Sequence, residues 1–312
     1  MNAKKELSII IPTYNRKEIL FSSLQALQNQ QHISLPSLEV LVVDDGSTDG
    51  TYQEMQQRKD AFSFSLYLFH QENQGQGNAR NLALQHAHGD IILFMGDDII
   101  FQPNALEEHM KVHRHYPQDT VACLGYTTWH PDLAVTPFMY FLEHGGPQFN
   151  YPKLERTCPV IDTRLGLRRA SYWYFYTSNI SLKKNILMGE HFEHGYTSYG
   201  WEDIDFGYKL SKEKGLDILY NKNAIGYHYH IISDDSFAQR MRSNGKNALL
   251  FHQRYPEVPV LPTGIKKVIF QLLALSITLN ILSLLSNMLP PVRYWYYYAQ
   301  SKRYFFEGIK GV

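Results

Sequence analysis

The sequence predicts an α/β protein with a mostly parallel central sheet, flanking helices and a C-terminal helical tail. Three observations carry this. Short apolar runs alternate with amphipathic stretches through the first part of the chain. Two of those runs, 38–43 and 91–95, lead into paired acids, Asp44-Asp45 and Asp97-Asp98. From 268 to 289 there is no charged residue in 22 positions. Strands alternating with helices imply a sheet covered on both faces. Carboxylates at the carboxyl ends of such strands stand where open α/β sheets bind ligands.

The elements follow in order. Residues 7–11, Leu-Ser-Ile-Ile-Ile, form a buried strand stopped by Pro12. Asn15 is placed to cap the next helix, which carries Ile19, Leu20, Leu24 and Leu27 at helical spacing. The second strand is 38–43, and Asp44-Asp45-Gly46-Ser47-Thr48-Asp49 reads as a turn and helix cap. A polar helix runs through Met55, and 64–69 is a third strand. Gly75 to Gly77 lead into a helix to about Ala87, 91–95 is the fourth strand, and Pro103 begins a helix. Residues 121–124 are a fifth strand. The stretch 126–176, rich in aromatics, Pro and Gly, reads as a long irregular segment, either a functional loop or flexible. Then come a strand at 177–182 and a helix from Gly200-Trp201-Glu202-Asp203 to Leu210. Short strands at 217–220 and 224–229 follow, with a helix over 233–255, capped by Ser233 and ended before Pro256.

As one helix, 268–289 would be ~33 Å long, enough for a bilayer core. Ser276, Asn280, Ser283 and Asn287 recur on one helical face. The run Tyr294-Trp295-Tyr296-Tyr297-Tyr298, flanked by Arg293, Lys302 and Arg303, has the chemistry of a membrane interface. Membrane contact through 265–312 is expected. Spanning, lying in the interface and packing on the domain remain alternatives.

Lys+Arg 30 against Asp+Glu 30 gives no net charge, so nothing asks for a nucleic-acid partner. The two cysteines, Cys123 and Cys158, lack metal-ligand spacing and read as reduced thiols. Met1 to Glu6 run directly into a strand with no apolar leader, so the body is expected in the cytoplasm, at the inner face of the cell membrane.

Four acids at two strand ends repel one another unless a cation or hydrogen-bond donors offset them. They point to a divalent metal, Mn²⁺ or Mg²⁺, and a phosphorylated ligand that shares its coordination. Gly75-Gln76-Gly77-Asn78-Ala79-Arg80 is not a dinucleotide fingerprint, because Arg80 stands where a small residue is needed and the match falls late in the sheet. Arg80 is either a phosphate ligand or a solvated helix-surface arginine. Glu202 and Asp203, with Asp205 behind, mark a helix start, as capping acids or as a general base. Trp201 offers an apolar face to a sugar. His228 and His230 lie on one alternating strand face, which makes a metal ligand one reading. His109, His113 and His115 read as a solvated helix face without a role.

Ser8-Ile9-Ile10-Ile11-Pro12-Thr13-Tyr14-Asn15-Arg16 resembles the opening of the family 2 glycosyltransferases of the GT-A fold. Residues 42–49, 73–81, Gly96-Asp97-Asp98 and Trp201-Glu202-Asp203 resemble their later motifs in order, over about 1–230. Gly96 stands where the family often has its first aspartate. The resemblance implies a Rossmann-like GT-A sheet and an inverting transferase acting on a nucleotide-diphosphate sugar, with uracil as the default base. It places Pro12, Thr13, Tyr14, Asn15, Asp44, Asp45, Arg80, Gly96 and Asp97 around the nucleotide sugar. Asp98 and His228 then hold the metal, and Asp203, with Glu202, is the catalytic base. Trp201, Trp129 and Trp173 are acceptor-binding candidates, with Tyr140 and Tyr174 as further stacking residues.

On this reading 1–125 is the nucleotide-sugar half and 126–260 the acceptor and catalytic half of one domain, with 261–312 as the tail. The acceptor is a saccharide or lipid-linked saccharide in cell-surface polysaccharide assembly. Two rivals are a sugar-phosphate nucleotidyltransferase and a non-catalytic, membrane-associated sugar-binding protein. Against the first, Pro12-Thr13-Tyr14-Asn15 is not a glycine-rich basic phosphate loop. Against the second, Asp98, Glu202 and Asp203 are all present.

Overall fold

A computed structural model describes residues 4–144 and 149–311. The chain forms two compact units. The first takes residues up to 133 with 154–197 and 202–230, and the second takes the described residues of 134–153, then 198–201 and 231 onward. The long helix after Ser233 falls in the second unit together with the tail.

Among the described residues the first unit is built on ten strands: β1 (Leu7–Thr13), β2 (Leu38–Asp44), β3 (Ser65–His70), β4 (Ile91–Met95), β5 (Ile99–Phe101), β6 (Val121–Trp129), β7 (Val160–Asp162), β8 (Leu167–Ala170), β9 (Asn179–Lys183) and β10 (Asp217–His228). They run β3-β2-β1-β4-β9-β6-β10-β8-β7, with β5 against β10. The helices named below are α1 (Lys17–Gln28), α2 (Thr51–Arg58), α3 (Gln76–His86), α4 (Ala105–His115), α5 (Pro137–His144), α6 (Tyr151–Thr157) and α7 (Glu202–Lys214).

The apolar runs of β1, β2 and β4 are buried throughout, as strands covered on both faces require. Ile9, Ile11, Val40, Val42, Leu93 and Met95 form one core with Leu20, Leu24 and Leu27 of α1. Parallel pairing holds for β1 to β4 and for β6 with β10. The other half is mixed: β9 enters antiparallel between β4 and β6. It follows an excursion, not a single crossover helix, so nothing imposes the parallel direction. The expected strands 217–220 and 224–229 are one strand, β10, with a bulge between Asn221 and Ile225. The stretch after Gly125 is more ordered than expected. β6 continues to Trp129, and α5, α6, β7 and β8 follow. Residues 145–148 of that stretch lie outside the described residues.

Register sets the site. Thr13 pairs with Asp44, and Asp44 with His70, so the carboxyl ends of β1, β2 and β3 are level. The chain crosses from the β2 side of β1 to β4 at this edge, a topological switch point.

His109 and His113 overturn the solvated-face reading: both are buried in α4. His109 Nε2 lies 2.8 Å from Asn179 Oδ1, and His109 Nδ1 and His113 Nε2 each lie 2.8 Å from Ser181 Oγ. Asn179 Oδ1 only accepts, so His109 donates from Nε2, Ser181 donates to Nδ1, and His113 donates to Ser181. Burial lowers the two histidines to about 4 and about 3, which keeps both rings neutral. They are a structural pin between α4 and β9.

The second unit contains α5, α8 (Asp234–Arg254), α9 (Gly264–Leu273), α10 (Ser276–Met288) and α11 (Val292–Lys310). Ser233 caps α8, accepting from Ser236 N at 3.3 Å, as the sequence predicts. α8 and α11 meet through glycines. A Cβ at Gly245 would overlap the Phe305 carbonyl, and one at Gly308 the Arg242 carbonyl. Gly308→Ala is therefore expected to cost about 1–3 kcal/mol or more. A thermal melt that matched the unsubstituted protein would contradict this packing.

The tail is not one straight helix. α9 and α10 meet at 60°, and among the described residues no single helix is long and apolar enough to cross a membrane. Leu275 adopts an extended conformation between them, and Thr278 Oγ1 donates to the Leu272 carbonyl at 2.8 Å, satisfying the broken end. Apolar side chains line the exposed surface of α9 and α10, with Ile265 80% exposed.

Candidate active site

The acids after β4 are held by groups from three other elements. Thr13 Oγ1, at the end of β1, donates to Asp97 Oδ2 at 2.8 Å, and Ser23 Oγ of α1 donates to the Asp97 carbonyl at 2.8 Å. Arg16 Nη1 donates to Asp97 Oδ1 at 3.0 Å and also to Asp98 Oδ2. Burial lifts the Asp97 carboxyl to about 6, against the pull of Arg16 and with the help of the Asp98 charge. Burial works against the Arg16 charge, yet Asp97 and Asp98 hold its pKa above the usual arginine range. On the far side, His228 Nε2 lies 3.3 Å from Asp98 Oδ2, and Tyr229 N donates to the Asp98 carbonyl at 2.8 Å. The sheet thus brings Asp98 and His228 together, whereas the His230 ring lies 6.2 Å from that of His228.

Gly96 forms the turn, accepting from Ile99 N at 3.3 Å, and an added Cβ would lie 3.1 Å from Asp98 Oδ1. A carboxylate at 96 would crowd Asp98, and without one this chain has two converging donors. Among the described residues no group of three His, Cys, Asp or Glu is set to hold an ion. A carboxylate and an imidazole suit Mn²⁺ or Mg²⁺ when a diphosphate supplies the remaining oxygens. The Arg16 guanidinium on both aspartates shows that these oxygens face positive charge, which is compatible in donor type with a hard divalent ion.

The β1–α1 and β2–α2 loops are stapled to each other. Asn15 sits at φ 53, its N–H donates to Ser47 Oγ at 2.8 Å and its Oδ1 accepts from Thr48 N at 2.8 Å. It does not cap α1, because its side chain is committed to the neighbouring loop. Pro12 lies within β1, and Tyr14 beyond it is 47% exposed. Asp44 is buried, accepting from Ser47 N at 3.1 Å with His70 Nδ1 at 3.0 Å. Asp45 accepts from Gln71 Nε2 at 2.7 Å, Gln74 N at 2.9 Å and Gly75 N at 2.8 Å. Its oxygens shape the turn into α3, where Gly75 takes φ 90 and a Cβ would lie 3.0 Å from the Tyr196 carbonyl.

Arg80 is not a solvated helix arginine: it is 2% exposed. Its Nη1 lies 3.5 Å from Glu202 Oε1 and its Nη2 donates to Gln76 Oε1 at 3.0 Å. Burial lowers its pKa, while Glu202, Asp203 and Asp97 raise it. The acids opening α7 thus meet a buried guanidinium supplied by α3. Asp203 keeps partial access to solvent. Dense surroundings push its carboxyl up to about 7, the neighbouring Glu202 charge adds to the rise and Arg80 opposes it. A carboxylate poised near neutrality is suited to general-base work.

The aromatic candidates separate. Trp129 is buried, edge-on to His228 at 5.2 Å, and supports that ring from within the unit. Tyr174 is buried as well, whereas Trp173 is exposed beside Tyr172. Tyr140, in the second unit, is exposed and stacked on His144. Trp201 has φ 77, a left-handed conformation that costs a non-glycine residue about 1–3 kcal/mol and concentrates at functional sites.

The sequence motifs give Arg16 no role of its own. The signal was charge balance: four acids at strand ends needed cations, and Arg16 follows β1 by three residues.

The comparisons bear on this geometry. The family described as Glycosyl transferase family 2 matches residues 8–198. The glycosyltransferase YfnE of Bacillus subtilis (strain 168) is 27% identical over 276 residues, covering 76% of this chain and 68% of that protein. A validoxylamine A glucosyltransferase of Streptomyces hygroscopicus subsp. jinggangensis (strain 5008) is 29% identical, over 70% of this chain and 54% of its own length. Escherichia coli chondroitin synthase is 24% identical, over 80% of this chain and 38% of its own length. Of these, the chain spans about half or less of the Streptomyces and Escherichia proteins. The mannosyltransferase PcManGT of Pyrobaculum calidifontis, solved with GDP-Man and Mn²⁺, aligns over 97% of this chain and 85% of its own, with a TM-score of 0.63 at 18% identity. Staphylococcus aureus TarS 1-349 with UDP gives a TM-score of 0.53 at 18% identity, over 98% and 90% of the two chains. These likenesses show a GT-A fold, and the match over 8–198 shows that the chain belongs to glycosyl transferase family 2.

Proposed function

We propose that this chain transfers a sugar from a nucleoside-diphosphate sugar to a hydroxyl of a saccharide or lipid-linked saccharide, with inversion, in surface polysaccharide assembly. The buried pairing of Arg80 with Glu202 at 3.5 Å, next in the chain to Asp203, carries the reading. It joins the nucleotide side of the sheet to the candidate base. Relatives named as a glucosyltransferase and a chondroitin synthase support the sugar chemistry. Neighbours solved with GDP-Man, UDP and UDP-GlcNAc support a nucleotide donor, with uridine as the default.

Pro12, Thr13, Tyr14 and Asn15 form the edge on which the base and ribose sit, and Tyr14 is open for stacking. Asp44 and Asp45 hold the loops that shape it. Asp98 and His228 are the residues that would hold Mn²⁺ or Mg²⁺, which when bound neutralises the diphosphate. Asp203 accepts the proton of the acceptor hydroxyl, whose oxygen attacks the anomeric carbon opposite the leaving diphosphate. Arg80 faces the Glu202 carboxylate at 3.5 Å and holds it in place. One displacement needs no covalent sugar–enzyme species, so configuration inverts.

Release of nucleoside diphosphate from UDP-glucose, UDP-GlcNAc and GDP-mannose with Mn²⁺ tests this. Turnover of at least one donor is expected. No release from any common nucleotide sugar would favour the non-catalytic sugar-binding reading.

We place the protein at the cytoplasmic face of a membrane through the exposed apolar residues of α9 and α10. Removing the whole tail is a poor test, because α11 packs on α8 through Gly245 and Gly308. Replacing Ile265, Ile277, Leu284 and Met288 together by Ser keeps α11. That variant is expected to lose cosedimentation with anionic vesicles at least tenfold. Undiminished binding would contradict the placement.

A further inference from the structure

The residues just before the catalytic pair are held by a row of polar side chains on α8. Gly200 and Trp201 are consecutive left-handed residues, at φ 95 and 77. Glycine tolerates that conformation, and tryptophan does so only when its surroundings enforce it. Asn247, buried in α8, points its Nδ2 at three carbonyls: Gly200 at 2.9 Å, Ser198 at 3.2 Å and Tyr199 at 3.3 Å. Carbonyls only accept, so the group facing them is the amide nitrogen. Ser243 Oγ donates to the Tyr199 carbonyl at 2.8 Å and lies 2.7 Å from Ser198 Oγ. Asn244 uses the opposite end of its amide, its Oδ1 accepting from the Trp201 indole N–H. The indole ring packs on Phe251 at 4.9 Å. One helix face thus grips four successive residues by backbone and side chain.

We propose that Asn247 and Asn244 are positioning residues that hold Gly200 and Trp201 in the left-handed conformation and so set how the chain enters α7. α7 begins at Glu202, the residue bonded to Trp201, so a change in the Trp201 dihedral angles is passed along the chain to the first-turn carboxylates Glu202 and Asp203. The consequence for turnover rests on Asp203 as the base, whereas the clamp itself does not.

The two asparagines answer differently to the same change. Asn247→Asp removes the donor and sets a carboxylate against three carbonyls. Asn244→Asp keeps an acceptor for the indole, whereas Asn244→Ala removes it. Amide hydrogen exchange over 198–204, measured on the full chain, reads the clamp without any substrate. Exchange is expected to rise at least tenfold in N247D and several-fold in N244A, and to stay within twofold in N244D, with β1 and β2 unchanged. Should N247D not fold, Ser243→Ala must show the same direction in milder form. Donor turnover is expected to fall at least tenfold in kcat for N247D, with KM within twofold. Unchanged exchange in N247D, or equal behaviour of N247D and N244D, would overturn the clamp, and faster exchange with intact turnover would overturn its effect on the carboxylates. Retained turnover in Asp203→Asn would instead remove the base reading and leave the exchange pattern standing.

Discussion

Replacing Asp203 with Asn is expected to lower transfer by about 10²–10⁴-fold, the usual contribution of a general base. Nucleotide affinity should stay within twofold, because the nucleotide edge is built from β1, β2 and their loops. Its pKa of about 7 gives a second signature. The carboxyl is protonated below that pH and becomes a base above it, so kcat/KM should rise through pH 7 and then level off. The stability sign is the reverse. A carboxyl whose folded pKa lies above its unfolded value favours the fold at low pH and loses that contribution as pH rises through about 7. The active form is thus the less stable one, and D203N should flatten that part of the melting profile. Near-normal turnover in D203N, or a profile flat through pH 7, would remove Asp203 from the role.

Asp98→Ala should abolish the strengthening of nucleoside-diphosphate binding by Mn²⁺. Calorimetry with UDP and GDP, with and without the ion, reads this directly. Arg16→Gln should act in the opposite direction. The guanidinium contacts the same Asp98 oxygen that lies 3.3 Å from His228 Nε2, so a cation entering there must displace it. Removing Arg16 should therefore raise Mn²⁺ affinity in the absence of nucleotide. An unaltered metal dependence in D98A would contradict the assignment of Asp98. Weaker Mn²⁺ binding in R16Q would contradict the competition.

Much of this site was legible because its parts are short and local. A buried strand followed by two acids is a pattern of a few consecutive residues, and β2 and β4 end at or within two residues of their acids, whereas β1 runs past Pro12 to Thr13. Partners that depend on long-range register were hidden. Arg16 reaches Asp97 and Asp98 across more than 80 residues. Arg80 reaches Glu202 across 122, and its burial follows from that meeting and not from its own helix. His109 stands among charged neighbours, Glu107, Glu108 and Lys111, which imitate a solvated face. Its polar partner, Asn179, lies 70 residues away on β9. The tail shows the same limit: a charge-free run is visible as composition, but the break at Leu275 involves neither Pro nor Gly. The clamp on Trp201 was equally silent, since Ser243, Asn244 and Asn247 look like ordinary polar positions of α8.

The most direct test of a single displacement assisted by Asp203 is the anomeric configuration of the freshly released sugar, followed by proton NMR during donor turnover before mutarotation. The account predicts inversion relative to the donor. Net retention would require a second displacement and would contradict it.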